Sequence, residues 1–497
     1  MKLQDIIENI HIVSVSGSLD PEITDVCFDS RKAKDGSLFC ALKGLDHDGN
    51  DFVASAVDKG AVAVISGKKF EADHSVTWVE VTDARAAMGK AAGNLFENPS
   101  REFPVIGVTG TNGKTTTTFL VHYLLEAILR RAGLIGTIHY KIGDRELDAP
   151  HTTPESPEIH RLLREMRDED CRGVAMEVSS QGLAQSRVMG VSFDVGVFTN
   201  LSQDHLDYHK GMENYFASKM LLFEQMDRDL AKEGVALINI DDSYGERLNK
   251  TKFERLKKIT FGRSVGADYQ ASDLRSDFNG TQFTLSHKER KFLVRIPLIG
   301  DFNVYNAVAA IASAHSIGLN LREVISMMAD APQVPGRLEA VAGRQINYRV
   351  FVDYAHTPDA LANVIATLKS LEPERLITVF GCGGDRDVTK RAPMAAAAEA
   401  GSDLCILTSD NPRTEDPQQI LGDAEEGFIR DSYEVIEDRR LAIKRAISLA
   451  GERDIVLIAG KGHETYQEVH GVKHEFDDRR IARGFIDWKA QQGGGYE

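Results

Sequence analysis

The stretch "VIGVTGTNGKTTTTFLVHYLL", residues 105–125, decides the fold. It opens on β-branched apolar residues, turns through glycines, and closes on a run with apolar residues at helical spacing. That pattern reads as buried strand, tight turn and long helix. Gly107, Gly110 and Gly113 let the backbone bend so that successive N–H groups face one anion. Lys114 supplies a cation, and the Thr115 hydroxyl suits magnesium. The positive end of the following helix faces the same point. The segment Gly110, Thr111, Asn112, Gly113, Lys114, Thr115 and Thr116 therefore reads as a phosphate cradle. The strict phosphate-loop pattern wants glycine five residues before Gly113, where Val108 stands; Gly107 is one place early. A glycine turn that merely joins strand to helix is the competing reading. Gly-Lys-Thr at a strand-to-helix boundary weighs against it.

Outward from this segment the chain alternates strands and helices. Apolar strand candidates follow at "GVAMEVS", "VGVFTN" and "GVALINI". Beyond a Pro/Gly-punctuated boundary at "APQVPGRLE", 331–339, come "YRVFVDYAH", "LITVFGCGG", "DLCILTSD" and "DIVLIAGKG". Before residue 98 lie shorter runs, "DVCFDS", "SLFCAL", "AVAVIS" and "VTWVEV". The expectation is α/β throughout, with mainly parallel sheets. Three domains are expected: a smaller N-terminal α/β domain (1–98), a central P-loop-type parallel-sheet domain (99–333) and a C-terminal Rossmann-like α/β domain (334–497). Chemistry should gather at the carboxyl ends of the strands. "PMAAAAEAG" at 393–401 reads as helix and the "QQGGGYE" tail as a frayed end.

Composition narrows the function. A net charge of −16 argues against a nucleic-acid or anionic-membrane binder. Five scattered cysteines without a CxxC fit reduced thiols in a cytoplasmic protein. No apolar run approaches the ~20 residues of a membrane span, and the N-terminus carries acids inside its apolar run, unlike a signal peptide.

The variant "TGTNGKT" resembles the Mur ligases of bacterial cell-wall synthesis, ATP-dependent enzymes that join amino acids to a UDP-sugar. The resemblance runs in order through "TTPES" (152–156), "MEVSSQGL" (176–183), "TNLSQDHLDYH" (199–209), "YFASKMLLF" (215–223), "GDFNVYNAVAA" (300–310), "VPGRLE" (334–339), "VDYAHTPDAL" (352–361), "GCGGDRD" (381–387), "DNPR" and "GKGHE" (460–464). The N-terminal third matches more loosely, through "DSR" and "ALKGLDHDGNDF".

The resemblance implies catalytic roles for Lys114, Glu177, His205 and Lys219, with Lys219 carbamylated and Thr115, Glu177, His205 and the carbamate positioning magnesium. From the residues alone, His205, Asp207 and His209 read as a capped polar loop, and Lys219 as a helix lysine reaching water. The resemblance further implies that Asn303, Asn306, Arg337 and Asp353 contact ATP. Helix capping is the residue-level alternative for Asn303. Ser30, His47, Thr152, Thr153, Ser179, Gln185 and Arg187 would hold the UDP-N-acetylmuramoyl dipeptide. A surface ion pair is the alternative for Arg187. Gln181 stands where the family has histidine, so it is given no catalytic role.

The last motif sets the amino acid. Diaminopimelate-adding members carry "DNPR"; lysine-adding members lack its arginine. Arg413 would meet the distal carboxylate of meso-diaminopimelate and stay unmatched until it arrives. Asp410 and Glu464 would receive ammonium groups, with Arg386, Asn411 and Gly460 completing the pocket. The alternative from the loop itself is that Arg413 caps a helix or pairs with Glu415 and Asp416. The resemblance thus implies an ATP- and magnesium-dependent ligase acting on the UDP-dipeptide, expected to be a monomer. A related ligase using lysine or acting on folate, and a nucleotide-binding regulator without ligation, are the other function classes.

Overall fold

The computed structural model describes residues 1–44, 47–69, 76–342 and 347–493, without the side chain of Asp207. The end of the glycine-rich tail and part of the "ALKGLDHDGNDF" loop lie outside the described residues. By contacts the chain divides into two compact units. One holds Met1–Ser272, Thr284–Val294 and Tyr305–Ala329; the other holds Asp273–Phe283, Arg295–Val304 and Asp330–Glu497.

The first unit carries an N-terminal sheet ordered Ile12–Ser16, Thr77–Val81, Ala61–Ser66, Ser37–Ala41, Asp25–Cys27. Its strands are parallel except the Ile12–Ser16 edge. The large central sheet has a parallel core ordered Lys257–Gly262, Val235–Asn239, Val195–Phe198, Val105–Thr109, Val174–Glu177, Gly133–Ile135. An antiparallel hairpin, His139–Ile142 and Arg145–Asp148, extends one edge. A ribbon of Tyr269–Asp277, Gly280–His287 and Arg290–Ile296 extends the other.

Val105–Thr109 is buried along its whole length, as a strand covered on both faces must be. The helix it feeds, Lys114–Leu129, buries Leu120, Val121, Leu124 and Leu125 completely. Each contributes about 1.5–3 kcal/mol of burial, so tertiary packing, not intrinsic propensity, holds this Thr-rich helix in place. Chain order reverses at this strand: its neighbours are Val195–Phe198 and Val174–Glu177, not the next strands in sequence. Such switch points open a crevice at the carboxyl ends, and the glycine loop leaves from this one.

The second unit contains a six-stranded sheet ordered Glu339–Ala340, Arg349–Asp353, Ile455–Ala459, Leu376–Phe380, Leu404–Leu407, Tyr433–Val435, parallel but for its first strand. One face packs under Leu361, Val364, Ile365 and Leu368, the other under Ala442, Ile443, Ala446 and Ile447. A separate hairpin, Tyr466–Val469 with Val472–Glu475, follows the last long strand. All five cysteines are buried and free. Among the described residues no helix is long and apolar enough to cross a membrane.

Candidate active site

The phosphate loop is held from both sides. Gly113 caps the helix with φ +84°, and a Cβ there would collide with the Asn306 Oδ1, so only glycine fits. Asn306 also accepts from the Thr117 Oγ1 at 3.2 Å. The Lys114 ammonium folds back onto the carbonyls of Gly110 (3.0 Å) and Thr111 (2.9 Å). Thr111 Oγ1 meets Tyr215 OH at 3.2 Å, and Asn112 N donates to Asn200 Oδ1 at 2.9 Å. Thr116 is buried in the first helical turn.

Glu177 ends its strand beside Val108, fully buried. Its carboxylate accepts from Thr115 Oγ1 (3.0 Å), Thr137 N (2.8 Å) and Thr137 Oγ1 (3.1 Å). The helix hydroxyl and the strand-end carboxylate thus meet directly. Thr137 went unnoticed in the sequence, where "GTIHY" reads as ordinary turn and strand. Lys219 is buried, its Nζ donating to the Gly110 carbonyl at 2.7 Å and lying 4.5 Å from the Tyr215 ring centre. Burial, then repulsion from Lys114, holds its pKa well below the ordinary lysine value, with Asp204 acting the other way. It does not reach water, as the snorkelling alternative required.

The histidines divide. His209 is buried, stacked on Tyr215 and bonded through both ring nitrogens to Ser180 and Ser218. Tyr215 itself is missing from the sequence-derived set. His205 stands exposed in the left-handed region, 3.5 Å from Asp204 and edge-on to Tyr215. Among the described residues no group of three or more His, Cys, Asp or Glu side chains converges on a metal-sized point. What Thr115 and Glu177 offer is hard oxygen, which fits magnesium, an ion that completes its shell with water and phosphate oxygens.

Around this core, Thr153 is a strap: its buried hydroxyl donates to the Glu177 carbonyl (2.9 Å) and accepts from Ser179 N (3.0 Å). Ser179 caps the short helix Ser180–Ala184 that carries Gln181. Thr152 Oγ1 meets Thr137 Oγ1 at 3.1 Å. Arg187 is held by the Thr153 carbonyl, by Gln185 Oε1 and by Glu155 at 3.1 Å. Arg85 reaches the same Glu155 at 3.2 Å, so Arg187 is no isolated surface pair. In the N-terminal sheet region Ser30 is buried at the start of a turn capped by Asp29. His47 is exposed, its ring edge-on to Phe52.

In the second unit Asn303 donates to the Ile299 carbonyl at 2.8 Å, bracing the helix start without capping it. Asp353 accepts from Leu338 N (2.6 Å) and Ala355 N (2.7 Å). Burial raises its pKa, opposed by Arg337, whose guanidinium lies 4.8 Å over Tyr354.

The amino-acid pocket expected at the carboxyl ends is a network. Asn411 Nδ2 donates to Glu464 Oε2 at 2.8 Å, and the fully buried Lys461 donates to Asn411 Oδ1 (2.8 Å) and Glu464 Oε2 (3.2 Å). Lys461 lies inside "GKGHE", and its burial comes from tertiary packing that the motif does not show. Arg413 adopts φ +52°. Its Nη1 donates to the Gly384 carbonyl at 2.5 Å, and its Nε lies 3.6 Å from Glu468. The guanidinium is therefore not unmatched, and neither Glu415 nor Asp416 holds it. Glu415 is taken by Arg391, and Asp416 caps the next helix. The cause is the hairpin, which lays Glu468 alongside: Arg413 N donates to the Glu468 carbonyl at 3.0 Å. Arg386 is exposed nearby in the sequence of the adjoining loop, on the Asp385 carbonyl.

Comparison with known proteins bears on this arrangement. Residues 22–96 match the Mur ligase family catalytic domain, 108–314 the Mur ligase middle domain and 336–462 the Mur ligase glutamate ligase domain. A protein of Syntrophomonas wolfei is 41% identical over 99% of this chain and 100% of its own. One of Geobacter sulfurreducens is 44% identical over 97% and 98%. Both are named UDP-N-acetylmuramoyl-L-alanyl-D-glutamate--2,6-diaminopimelate ligase. The chain belongs to the Mur ligase family. A solved structure carrying that same ligase name aligns with TM-score 0.73 and 36% identity over 99% of both chains. The Thermotoga maritima MurF ligase in complex with ADP, 18% identical, shares the Mur ligase fold at TM-score 0.60 over 95% and 98%.

Proposed function

We propose that this chain is an ATP-dependent ligase that adds meso-2,6-diaminopimelate to the D-glutamyl γ-carboxyl of UDP-N-acetylmuramoyl-L-alanyl-D-glutamate, a cytoplasmic step of peptidoglycan precursor synthesis. The observation that carries the reading is Arg413: a half-buried guanidinium in the "DNPR" loop, beside the Asn411–Glu464–Lys461 network. Near-full-length relatives bearing this ligase name support it.

The chemistry divides between two sets of residues. The substrate γ-carboxylate attacks the γ-phosphorus of ATP; an O–P bond forms, the bond to the ADP oxygen breaks, and an acyl phosphate results. The loop amides and Lys114 neutralise charge growing on the phosphoryl oxygens. Lys114 leaves its two carbonyl partners to do so, a local movement within one side chain. Thr115 and Glu177 would hold magnesium, which supplies charge neutralisation at the phosphates when bound. Asn306, Asn303, Arg337 and Asp353 complete nucleotide recognition. Thr152, Thr153, Ser179, Gln185, Arg187, Ser30 and His47 read the UDP-dipeptide. The neutral amine of diaminopimelate then attacks the acyl carbon, and phosphate departs from the tetrahedral adduct.

Lys219 is suited to carbamylation. Its depressed pKa leaves more free amine, which attacks carbon dioxide; an N–C bond forms and the amine proton is released. His205 and the carbamate would join Thr115 and Glu177 in positioning magnesium. Arg413 exchanges Glu468 for the distal carboxylate, a contact of several charge-assisted hydrogen bonds, each about 1.5–3 kcal/mol. L-lysine lacks that group and leaves the exchange unrewarded.

The test is ADP release with the UDP-dipeptide and each amino acid in turn. Turnover with meso-diaminopimelate should exceed that with L-lysine by at least about 10³-fold, and Arg413→Ala should remove about 10²-fold of kcat/KM for diaminopimelate while leaving the KM for ATP unchanged. Equal turnover of the two amino acids would sink the specificity assignment. An unaltered mass of the dipeptide after incubation would sink the ligase assignment.

A further inference from the structure

The end of the strand Ile455–Ala459 conceals a second layer of charge. Arg439 is completely buried at the start of the helix Arg439–Leu449, a position the sequence presents as one more basic residue in "DRRLAIKRA". It grips the fully buried Asp478 with two bonds, Nε to Oδ1 at 2.8 Å and Nη2 to Oδ2 at 2.7 Å. Nη2 also donates to the Ala459 carbonyl at 3.0 Å. One donor remains. Nη1 faces Asp410 Oδ2 across 3.9 Å, too far for a hydrogen bond. Both atoms are buried and lack a hydrogen-bond partner among the described residues. The wall beside them is bare: a Cβ on Gly460, itself at φ +116°, would come within 2.5 Å of that same Asp410 oxygen.

Two buried, opposite and unsatisfied groups in one place demand an account, because each costs free energy when left unpaired. A tight pair would have satisfied both and closed the oxygen to any ligand. At 3.9 Å the guanidinium instead stands beside the carboxylate and leaves Oδ2 without a donor. Asp478 fixes the guanidinium, so the field at Asp410 has a fixed direction.

We propose that Arg439 is a positioning residue for the amino-acid pocket: anchored on Asp478, it holds the Asp410 carboxylate aimed past Gly460, with one oxygen reserved for an ammonium of the incoming amino acid. The inference rests on the assignment of Asp410 to the diaminopimelate pocket and deepens it. Arg439 itself touches no substrate. It is committed to Asp478 and the Ala459 carbonyl, so the Asp410 oxygen is left for the ligand.

A structural role and a positioning role can be separated. Replacing Arg439 alone strands Asp478, so the matched pair Arg439→Met/Asp478→Leu is the better variant, since removing both members of a buried ion pair is commonly tolerated. The full-length double variant should melt cooperatively, keep its KM for ATP and for the UDP-dipeptide, and show a KM for meso-diaminopimelate raised by about tenfold or more, the scale of one charge-assisted hydrogen bond. A KM for the amino acid within about twofold of wild type in a cooperatively melting protein overturns the proposal. Should the double variant not fold, Arg439→Lys decides in its place: it keeps one charge on Asp478 but cannot also face Asp410, so the same rise is expected and its absence is equally fatal. Asp410→Asn, assayed alongside, distinguishes the two levels. If that variant leaves the amino-acid KM unchanged, the assignment of Asp410 is what fails; if it raises the KM and the Arg439 variants do not, only the role of Arg439 falls.

Discussion

The two compact units treat buried cations in opposite ways. In the second unit each deeply buried cation meets carboxylates: Arg439 on Asp478, Arg391 on Glu415 and Asp423, Lys461 on Glu464. In the first, Lys219 is as deeply buried, yet no carboxylate pairs with it among the described residues; it has a carbonyl and an aromatic face. A buried ammonium without its counter-charge is costly, and the cost appears as the depressed pKa of Lys219. By this measure the phosphate-loop region keeps a buried free amine available for chemistry, whereas the C-terminal region pairs its buried cations internally and reserves single atoms for its ligand.

The largest effect that could break this contrast lies in the second unit. Arg439→Met on its own should destabilise by about 3–5 kcal/mol, because Asp478 is left charged and unpaired; chemical denaturation of the full chain measures it, and a loss below about 1 kcal/mol would mean Asp478 was never a committed partner. Next comes acid sensitivity in the first unit. His160 is fully buried, its ring held on the Met189 carbonyl, and burial pushes its pKa down to about 4. The unfolded chain takes up this proton near pH 6.5 and the folded chain only near 4. Stability from this group is therefore complete above about 6.5 and is lost as pH falls towards 4, by about 3 kcal/mol in all. His160→Gln should flatten that segment of the stability–pH curve. The smallest expected change in stability sharpens the contrast most. Lys219→Met should alter unfolding free energy by less than about 1 kcal/mol, or raise it, because no partner is stranded, while ligase turnover falls by about 10²-fold or more. A large destabilisation here would erase the distinction between the units.

The parallel framework was legible because its strands are contiguous apolar runs. "VIGVT", "VAME", "VGVF" and "VALIN" become Val105–Thr109, Val174–Glu177, Val195–Phe198 and Val235–Asn239, and the four C-terminal runs become strands in turn. The ribbon Tyr269–Ile296 was not foreseen. Its residues alternate between buried and exposed and are rich in charge, so no apolar run announces it. The site followed the same rule. Lys114, Thr115 and Glu177 lie in motifs whose local geometry fixes their surroundings. Thr137, Tyr215, Lys461 and Arg439 owe their positions to tertiary packing, and each looks unremarkable among its sequence neighbours. The expectation that Arg413 is unmatched failed for a related reason: Glu468 is 55 residues away along the chain, and nothing in "DNPR" indicates that a later hairpin will bring it close.

The five cysteines have a practical consequence. All are buried, and burial pushes the thiols of Cys27 up to about 11 and of Cys382 and Cys405 up to about 12. At neutral pH fewer than roughly one in a thousand of these groups is thiolate. The native protein should therefore resist alkylating dyes and mild oxidants without any cysteine being replaced. A single cysteine engineered on an exposed helix would take up a fluorophore selectively, giving a ready route to spectroscopic probes on an otherwise unaltered chain.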